Sequence, residues 1–405
     1  MKKGNLILIL LVLVMTTMLL AACSKSDLES DSVETSGIIS AEEWADKHPD
    51  IYTSYLKNSE VANTTYGGSE PIDYLEKYPE LKTFYAGYGF SKEYLRARGH
   101  VYAMEDVVNT ARPKPGASCL SCKTADYLEM INEYGTDVHA MDFDEMAAKV
   151  VNTISCYDCH QNTPGEVTLT REYLTTGLDK LDTEFKMGDL ACAQCHVEYY
   201  LDPGTKEVIL PWDNGIDTDG IQKYYDDIDF HDWVHPDTGT KLLKAQHPEF
   251  ETYQGSLHSK MGVSCMTCHM PNMENDKGDK YTSHQWTSPL KHVKQSCLAC
   301  HKNDTEEELI AKVEEIQEKV ENKTNEVSKI LFNLVHELTM AVESGEYPEE
   351  VLEEVRAYHR KAQFKWDFVF VENSTGFHNP ELTHKTLDEA REYAEKGLEV
   401  LGQFQ

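Results

Sequence analysis

The feature that most constrains how this 405-residue chain can fold is its cysteine pattern: ten of eleven cysteines fall into Cys-x-x-Cys pairs. The pairs are Cys119/Cys122, Cys156/Cys159, Cys192/Cys195, Cys265/Cys268 and Cys297/Cys300, and four of them are followed at once by a histidine, His160, His196, His269 and His301. Cys-x-x-Cys-His is the attachment pattern of c-type haem, in which both thiols form thioethers to the vinyl groups and the adjoining imidazole reaches the iron. Zinc ribbons, redox dithiols and structural disulfides are the competing uses of paired cysteines. An oxidising compartment counts against free zinc thiolates and reduced dithiols, and disulfides leave the four histidines unexplained. Such a chain is expected to wrap short helices and loops on porphyrin, whose faces bury apolar area at ~25 cal/mol per Å².

The eleventh cysteine speaks to the compartment. Residues 1–22 carry Lys2 and Lys3, an apolar run from Leu6 to Leu20 and then small residues, the pattern of a signal peptide. The run is shorter than the ~20 apolar residues of a spanning helix and is interrupted by Thr16 and Thr17. Its end, Leu20-Ala21-Ala22-Cys23, resembles the lipobox of bacterial lipoproteins, which implies export, acylation of Cys23, and a lipid-anchored protein in the periplasm or on the outer face of the cell membrane. Residues 23–40 are polar and acidic without hydrophobic period and read as a tether. A net charge of −32 argues against nucleic acid as a partner.

The first pair reads Cys119-Leu-Ser-Cys122-Lys123, with lysine where the others have histidine. A lysine binds iron only as the neutral amine, so a proton held with a free-solution pKa of ~10.4 must be displaced. Either Lys123 is a ligand, or it is solvated and a distant histidine completes an ordinary electron-transfer centre; spacing does not choose. The interval between the third and fourth pairs is about twice the others, so something besides haem attachment lies between Cys195 and Cys265.

The C-terminal third carries the clearest periodicity. After Thr305, an N-cap candidate, apolar residues recur in helical steps at Leu309, Val313, Ile316, Val320, Val327, Ile330, Leu334 and Leu338, with a polar break around Lys323. Further helices are expected over 349–370 and 382–401, with Pro348 and Pro380 near their starts. The fold class is therefore mainly α. The stripe either packs on the body of its own chain or pairs with a second copy.

The lysine motif followed by four Cys-x-x-Cys-His motifs, together with FSKEYLRARGHVYAMEDVVNTARP, CHVEYYLDPGTKEVILPWDNG, KAQHPEFETYQGSLHSK, CHMPNM, YTSH and STGFHNPE in that order, resembles the pentahaem cytochrome c nitrite reductases that form ammonia. The likeness covers residues 41–405. It implies one catalytic domain of that extent with five covalent haems as its core, and residues 304–405 as long helices forming a homodimer interface. It implies nitrite as substrate, reduced by six electrons at a haem ligated by Lys123, with Arg112, Tyr199 and His247 around the substrate. By motif position the second axial ligands become His284 for the second haem, His100 for the third, His378 for the fourth and His258 for the fifth. A calcium ion would be held by the side chains of Glu198 and Gln246 and by the carbonyls of Tyr199 and Lys244. The electron donor would be a membrane quinol dehydrogenase or a cytochrome. A multihaem electron carrier without a substrate site, and a related reductase of hydroxylamine or sulfite, are the alternatives.

Overall fold

The cysteine pairs sit on short helical turns, and local capping explains why. Cys156–His160 and Cys265–His269 each form a five-residue helix. Asp158 turns its carboxylate back onto the Ser155 amide at 2.8 Å, while Ser264 and Thr267 cap each other's amides at 3.4 and 3.2 Å. Cys192 lies in the helix Met187–Ala193, Cys119 in the 3₁₀ turn Ala117–Leu120, and Cys297 directly follows Val293–Ser296. Residues three apart share a helix face, so a helical turn sends both sulfurs of a pair to one side. The computed structural model describes residues 37–404; the leader, Cys23 and the tether as far as residue 36 lie outside the described residues.

Strand is scarce. Among the described residues there are three two-stranded antiparallel hairpins: β1 (Tyr200–Leu201) with β2 (Val208–Ile209), β3 (Trp233–Val234) with β4 (Lys241–Leu242), and β5 (Asn272–Glu274) with β6 (Lys280–Thr282). The first two occupy the long interval between the third and fourth motifs, and Lys244–His247 follows β4 directly. The apolar core is correspondingly divided. Leu120, Tyr127 and Phe143 pack by the first motif, Leu190, Trp212 and Phe250 by the third, and Tyr200, Tyr225 and Phe364 beside the hairpins.

The largest cluster belongs to three long helices, α1 (Glu306–Ser344), α2 (Glu349–Val371) and α3 (Pro380–Gly402). Thr305 caps the Glu308 amide at 3.2 Å and Glu308 returns to the Thr305 amide at 2.8 Å, a reciprocal box that starts α1. Gly345, at φ 66°, adopts the left-handed conformation that ends it. Pro348 precedes α2, and Pro380 opens α3 two residues before the periodicity places its start, since a proline at the first helical position needs no amide partner.

The polar break at Lys323 does not interrupt α1. Lys323 donates to the His384 carbonyl at 2.9 Å and pairs with Asp388 at 2.7 Å, while Trp366 donates to the Thr324 carbonyl at 3.2 Å, so polar contacts from α3 and α2 replace the missing apolar step. Of the two readings of the α1 stripe, packing on its own chain is the one these side chains show. Leu309, Val313, Val320, Val327, Leu334 and Leu338 are buried within the chain, most of them against α2 and α3. Gly397 of α3 marks how close that packing is: a Cβ there would meet Leu334 Cδ1 at 2.7 Å. The face α1 leaves outward carries Phe332 and Met340, 39% and 51% exposed, with His336 between them.

Leu334→Ala should cost about 2–5 kcal/mol by cavity formation. Val61→Ala, at a side chain 65% exposed and outside the three long helices, should stay within about 0.5 kcal/mol. Thermal denaturation of the haem-loaded protein compares the two.

Candidate active site

The four histidine pairs expected from motif position come together across the structure, their rings tilted or edge-on to each other. Ring centroids are 6.2 Å apart for His160 and His284, 5.9 Å for His196 and His100, 6.3 Å for His269 and His378, and 6.2 Å for His301 and His258. Two imidazoles bound to opposite faces of one metal, each through a nitrogen about 2.0 Å away, would have centroids roughly 6.3 Å apart. Each pair therefore has the spacing that one bis-histidine iron requires, and each motif histidine is attached to a cysteine pair.

The motif loops touch one another in an order that is not chain order. Cys122 lies within hydrogen-bond reach of Cys195, and Cys192 within reach of Cys265. Cys159 neighbours Cys192, and Cys268 neighbours Cys297 and Cys300. The third motif thus joins the first, second and fourth, with the fifth beyond the fourth. Arg171, 2% exposed, laces this junction: Nε donates to the Ser121 carbonyl at 2.7 Å, and Nη2 to Asp158 at 2.5 Å and the Thr124 carbonyl at 3.3 Å. Gln194, inside the third motif, accepts from the Thr170 amide at 2.5 Å and donates to the Asp158 carbonyl at 3.2 Å. Tyr173 donates to the Gln194 carbonyl and lies 3.3 Å from Cys122 Sγ.

Around the one motif without histidine the structure gathers a different set. The Lys123 charge acts on His247 and on Cys119, and Arg112 acts on Cys119 and Tyr88. Tyr199 feels Cys122, Cys119 and Tyr88. Arg112 lies 4.3 Å over the Phe90 ring, with Nε 3.2 Å from Thr110 Oγ1. Burial pushes the His247 imidazole down to about 4, Glu249 opposing and Lys123 adding, so the ring is neutral at pH 7 and carries one N–H. Its Nδ1 is buried with no hydrogen-bond partner, 4.0 Å from Glu249. Burial, then the nearby Cys122 and Cys119, holds the Tyr199 phenol far above its ordinary value, so it stays protonated. A guanidinium, a phenol and a neutral imidazole are donors suited to a small oxyanion.

Beside them lies an anionic cluster. Glu198, fully buried, accepts from Tyr225 at 3.0 Å and from the Gln246 amide at 2.6 Å, and the Gln246 side chain is 3.1 Å from the Lys244 carbonyl. Asp232 accepts from the Lys244 amide at 2.8 Å, and Glu251 from the Glu198 amide and Trp212 Nε1, both at 2.9 Å. The other Glu251 oxygen is buried without a partner. Lys244, the one buried ammonium in contact with this group, is held at 3.0 Å by Asp367 and packed against the Tyr85 and Phe90 rings. Burial drives Glu198 well above the usual carboxylate range, Asp232 up to about 7 and Glu251 up to about 8. A divalent cation would keep such groups ionised. Among the described residues no three His, Cys, Asp or Glu side chains converge as a metal cage. A cation here would rest on one carboxylate with amide and carbonyl oxygens, a donor set that suits calcium.

Arg171, Phe90, Glu249 and Asp367 escape the sequence reading. Each stands alone in its segment, and its partners lie far along the chain. Only the polar residues inside two motifs, Asp158 and Gln194, hint that those loops are tied to something.

Comparison with known proteins follows from this geometry. The family model described as cytochrome c552 matches residues 40–404. A cytochrome c-552 of Aliarcobacter butzleri is 34% identical over 404 residues, covering 93% of this chain and 80% of that protein. One from Porphyromonas gingivalis is 32% identical, covering 87% and 74%. The solved cytochrome c nitrite reductase of Desulfovibrio desulfuricans, a catalytic subunit described with two calcium sites, superposes with a TM-score of 0.83 at 31% identity over 90% of this chain and 86% of that one.

Removing one partner of a buried ion pair strands the other. Arg171→Met should cost about 3–5 kcal/mol, and adding Asp158→Asn should recover part of it. Denaturant unfolding of the three proteins, at equal haem content, measures both effects.

Proposed function

This chain belongs to the cytochrome c552 family, and from that premise we propose how its residues carry out the reaction. It is an ammonia-forming nitrite reductase with five c-type haems and a calcium site. The observation that carries the site assignment is the convergence of Arg112, Tyr199 and His247 on the motif that ends in Lys123. Haem c at that motif would supply one-electron iron chemistry.

Lys123 would bind the iron of that haem through its amine. Arg112 holds the nitrite anion, and the cation–π contact with Phe90 keeps its guanidinium from wandering. His247, neutral at pH 7, hydrogen-bonds the substrate oxygen through its N–H, and Tyr199, held protonated, provides a second donor. Donors fixed before substrate arrives cost no reorganisation when charge develops on oxygen. Glu198, Gln246 and the Tyr199 and Lys244 carbonyls hold calcium, which neutralises the buried carboxylates and stiffens the Lys244–His247 loop. A pure electron carrier has no use for this donor set.

The pairs His160/His284, His196/His100, His269/His378 and His301/His258 would hold four further haems, which would supply electron transfer, and the third motif is the one in contact with the Lys123 motif. The donor is a cytochrome, or a quinol dehydrogenase in the membrane. Residues 41–405 act as one catalytic unit. Members of the family are periplasmic, and no helix among the described residues is long and apolar enough to cross a membrane. A lipid on Cys23, after removal of residues 1–22, anchors this chain. Two copies pair through the outward face of α1, where Phe332 and Met340 are exposed.

With a reduced viologen as donor, the purified protein should turn nitrite into ammonium without releasing nitric oxide or hydroxylamine. His247→Ala should lower the rate by ~10²–10³ while the low-spin haem spectrum stays in place. Ammonium formation at the wild-type rate in that variant would remove His247 from the site. Sedimentation at micromolar concentration should show a dimer that Phe332→Glu with Met340→Glu converts to monomer. Cys23→Ser should move the protein from the membrane fraction to the soluble extracytoplasmic one.

A further inference from the structure

The histidine pairs differ in what lies behind them. His160 donates through Nδ1 to the Glu166 carbonyl at 2.6 Å, and its partner His284 to the Thr282 carbonyl at 3.0 Å, so the second pair is backed by neutral acceptors. His269 likewise meets the Thr287 carbonyl at 3.0 Å. His378, which faces His269, instead has Nδ1 2.6 Å from Glu372, and His196 has Nδ1 3.4 Å from Glu249. Both carboxylates are buried. At the fifth pair, Asp304 is 3.7 Å from His301 but is engaged by Lys312 at 2.5 Å, which spends its charge.

The two buried carboxylates belong to one construction. Glu372 and Asn373 form the turn that leaves α2. Glu372 is locked by the Ser374 amide at 3.1 Å and the Ser374 hydroxyl at 2.6 Å, and that hydroxyl accepts in turn from the His378 amide at 2.9 Å. Asn373 donates to Glu249 through its side-chain amide and through its backbone amide at 3.4 Å. One turn thus fixes the carboxylates behind the histidines of two motifs.

We propose that this turn, with Glu249, is a redox-tuning element that sets the third and fourth haems at lower potential than the second. The proposal rests on the five-haem reading above. A buried carboxylate close to the outer nitrogen of an axial imidazole polarises that ligand without a hydrogen bond to it, and a fixed negative charge near the iron stabilises its oxidised form; both lower the potential. A carbonyl does neither to the same degree. The third motif adjoins the Lys123 motif, so a lowered potential there favours electron release toward the catalytic centre.

Redox titration of the five-haem protein, followed by visible and EPR spectra, tests this. In wild type, two of the four bis-histidine centres should titrate below the others. Glu372→Gln should raise one of those two by at least tenfold in its one-electron equilibrium constant, about 59 mV, and Glu249→Gln should raise the other. Haem content by mass spectrometry accompanies each titration, so fewer than five haems in wild type would overturn the haem reading itself. The tuning proposal is overturned if fully loaded Gln variants titrate as wild type. If the variants do not mature, a single common midpoint for the four wild-type centres overturns it equally.

Discussion

Everything in this protein is arranged around pairs of imidazole rings held about 6 Å apart. A chain of net charge −32 with a divided apolar core has few other means of joining its parts. Each pair joins a cysteine-bearing turn to a distant segment, as when His160 meets His284 or His196 meets His100. Long-range order thus runs through junctions between short turns where another protein would use a sheet. The three C-terminal helices are the exception, with an aliphatic core of their own.

An acidic protein that takes an anionic substrate must separate its local field from its global one. The separation here is spatial. Arg112 and the neutral His247 line one side of the Lys123 motif, and the carboxylates Glu198, Asp232 and Glu251 lie behind the Lys244–His247 loop, where a cation can neutralise them. Lys244 sits at the divide with its ammonium turned to Asp367 and its carbonyl beside Gln246. Phe90 carries the Arg112 guanidinium 4.3 Å from its ring centroid and the Lys244 ammonium at 4.9 Å, so one aromatic ring links the substrate side to the cation side. Screening by salt weakens the outer acidic shell more than this buried arrangement.

What was legible in the sequence was what local pattern encodes. Cysteine spacing, the following histidine, Thr305 as a cap and Pro380 at a helix start all act within a few residues, and each has its expected place in the fold. The long interval before Cys265 announced something besides haem attachment, and only the resemblance placed the roles of Lys244, Gln246 and His247 within it. The α1 stripe announced a covered face without naming the cover, which turned out to be α2 and α3. Which distal histidine meets which motif came only from resemblance, since spacing cannot select among 17 histidines. Arg171, Glu249 and Asp367 were illegible for a physical reason: a single buried charge has no periodicity, and its meaning lies in partners far along the chain.

Helix α2 presents Trp366 to α1, Asp367 to Lys244 and Tyr85, and then ends at the turn that supports Glu249 and His378. These duties fall within eight consecutive residues, Trp366 to Asn373, and each depends on the direction in which the chain leaves the axis there. Adding or deleting one residue upstream in α2 would rotate all of them together by about 100°. A change of length is better tolerated in a surface loop such as that between β5 and β6. The helix acts as a register: its numbering, more than any one of its side chains, is what selection must preserve.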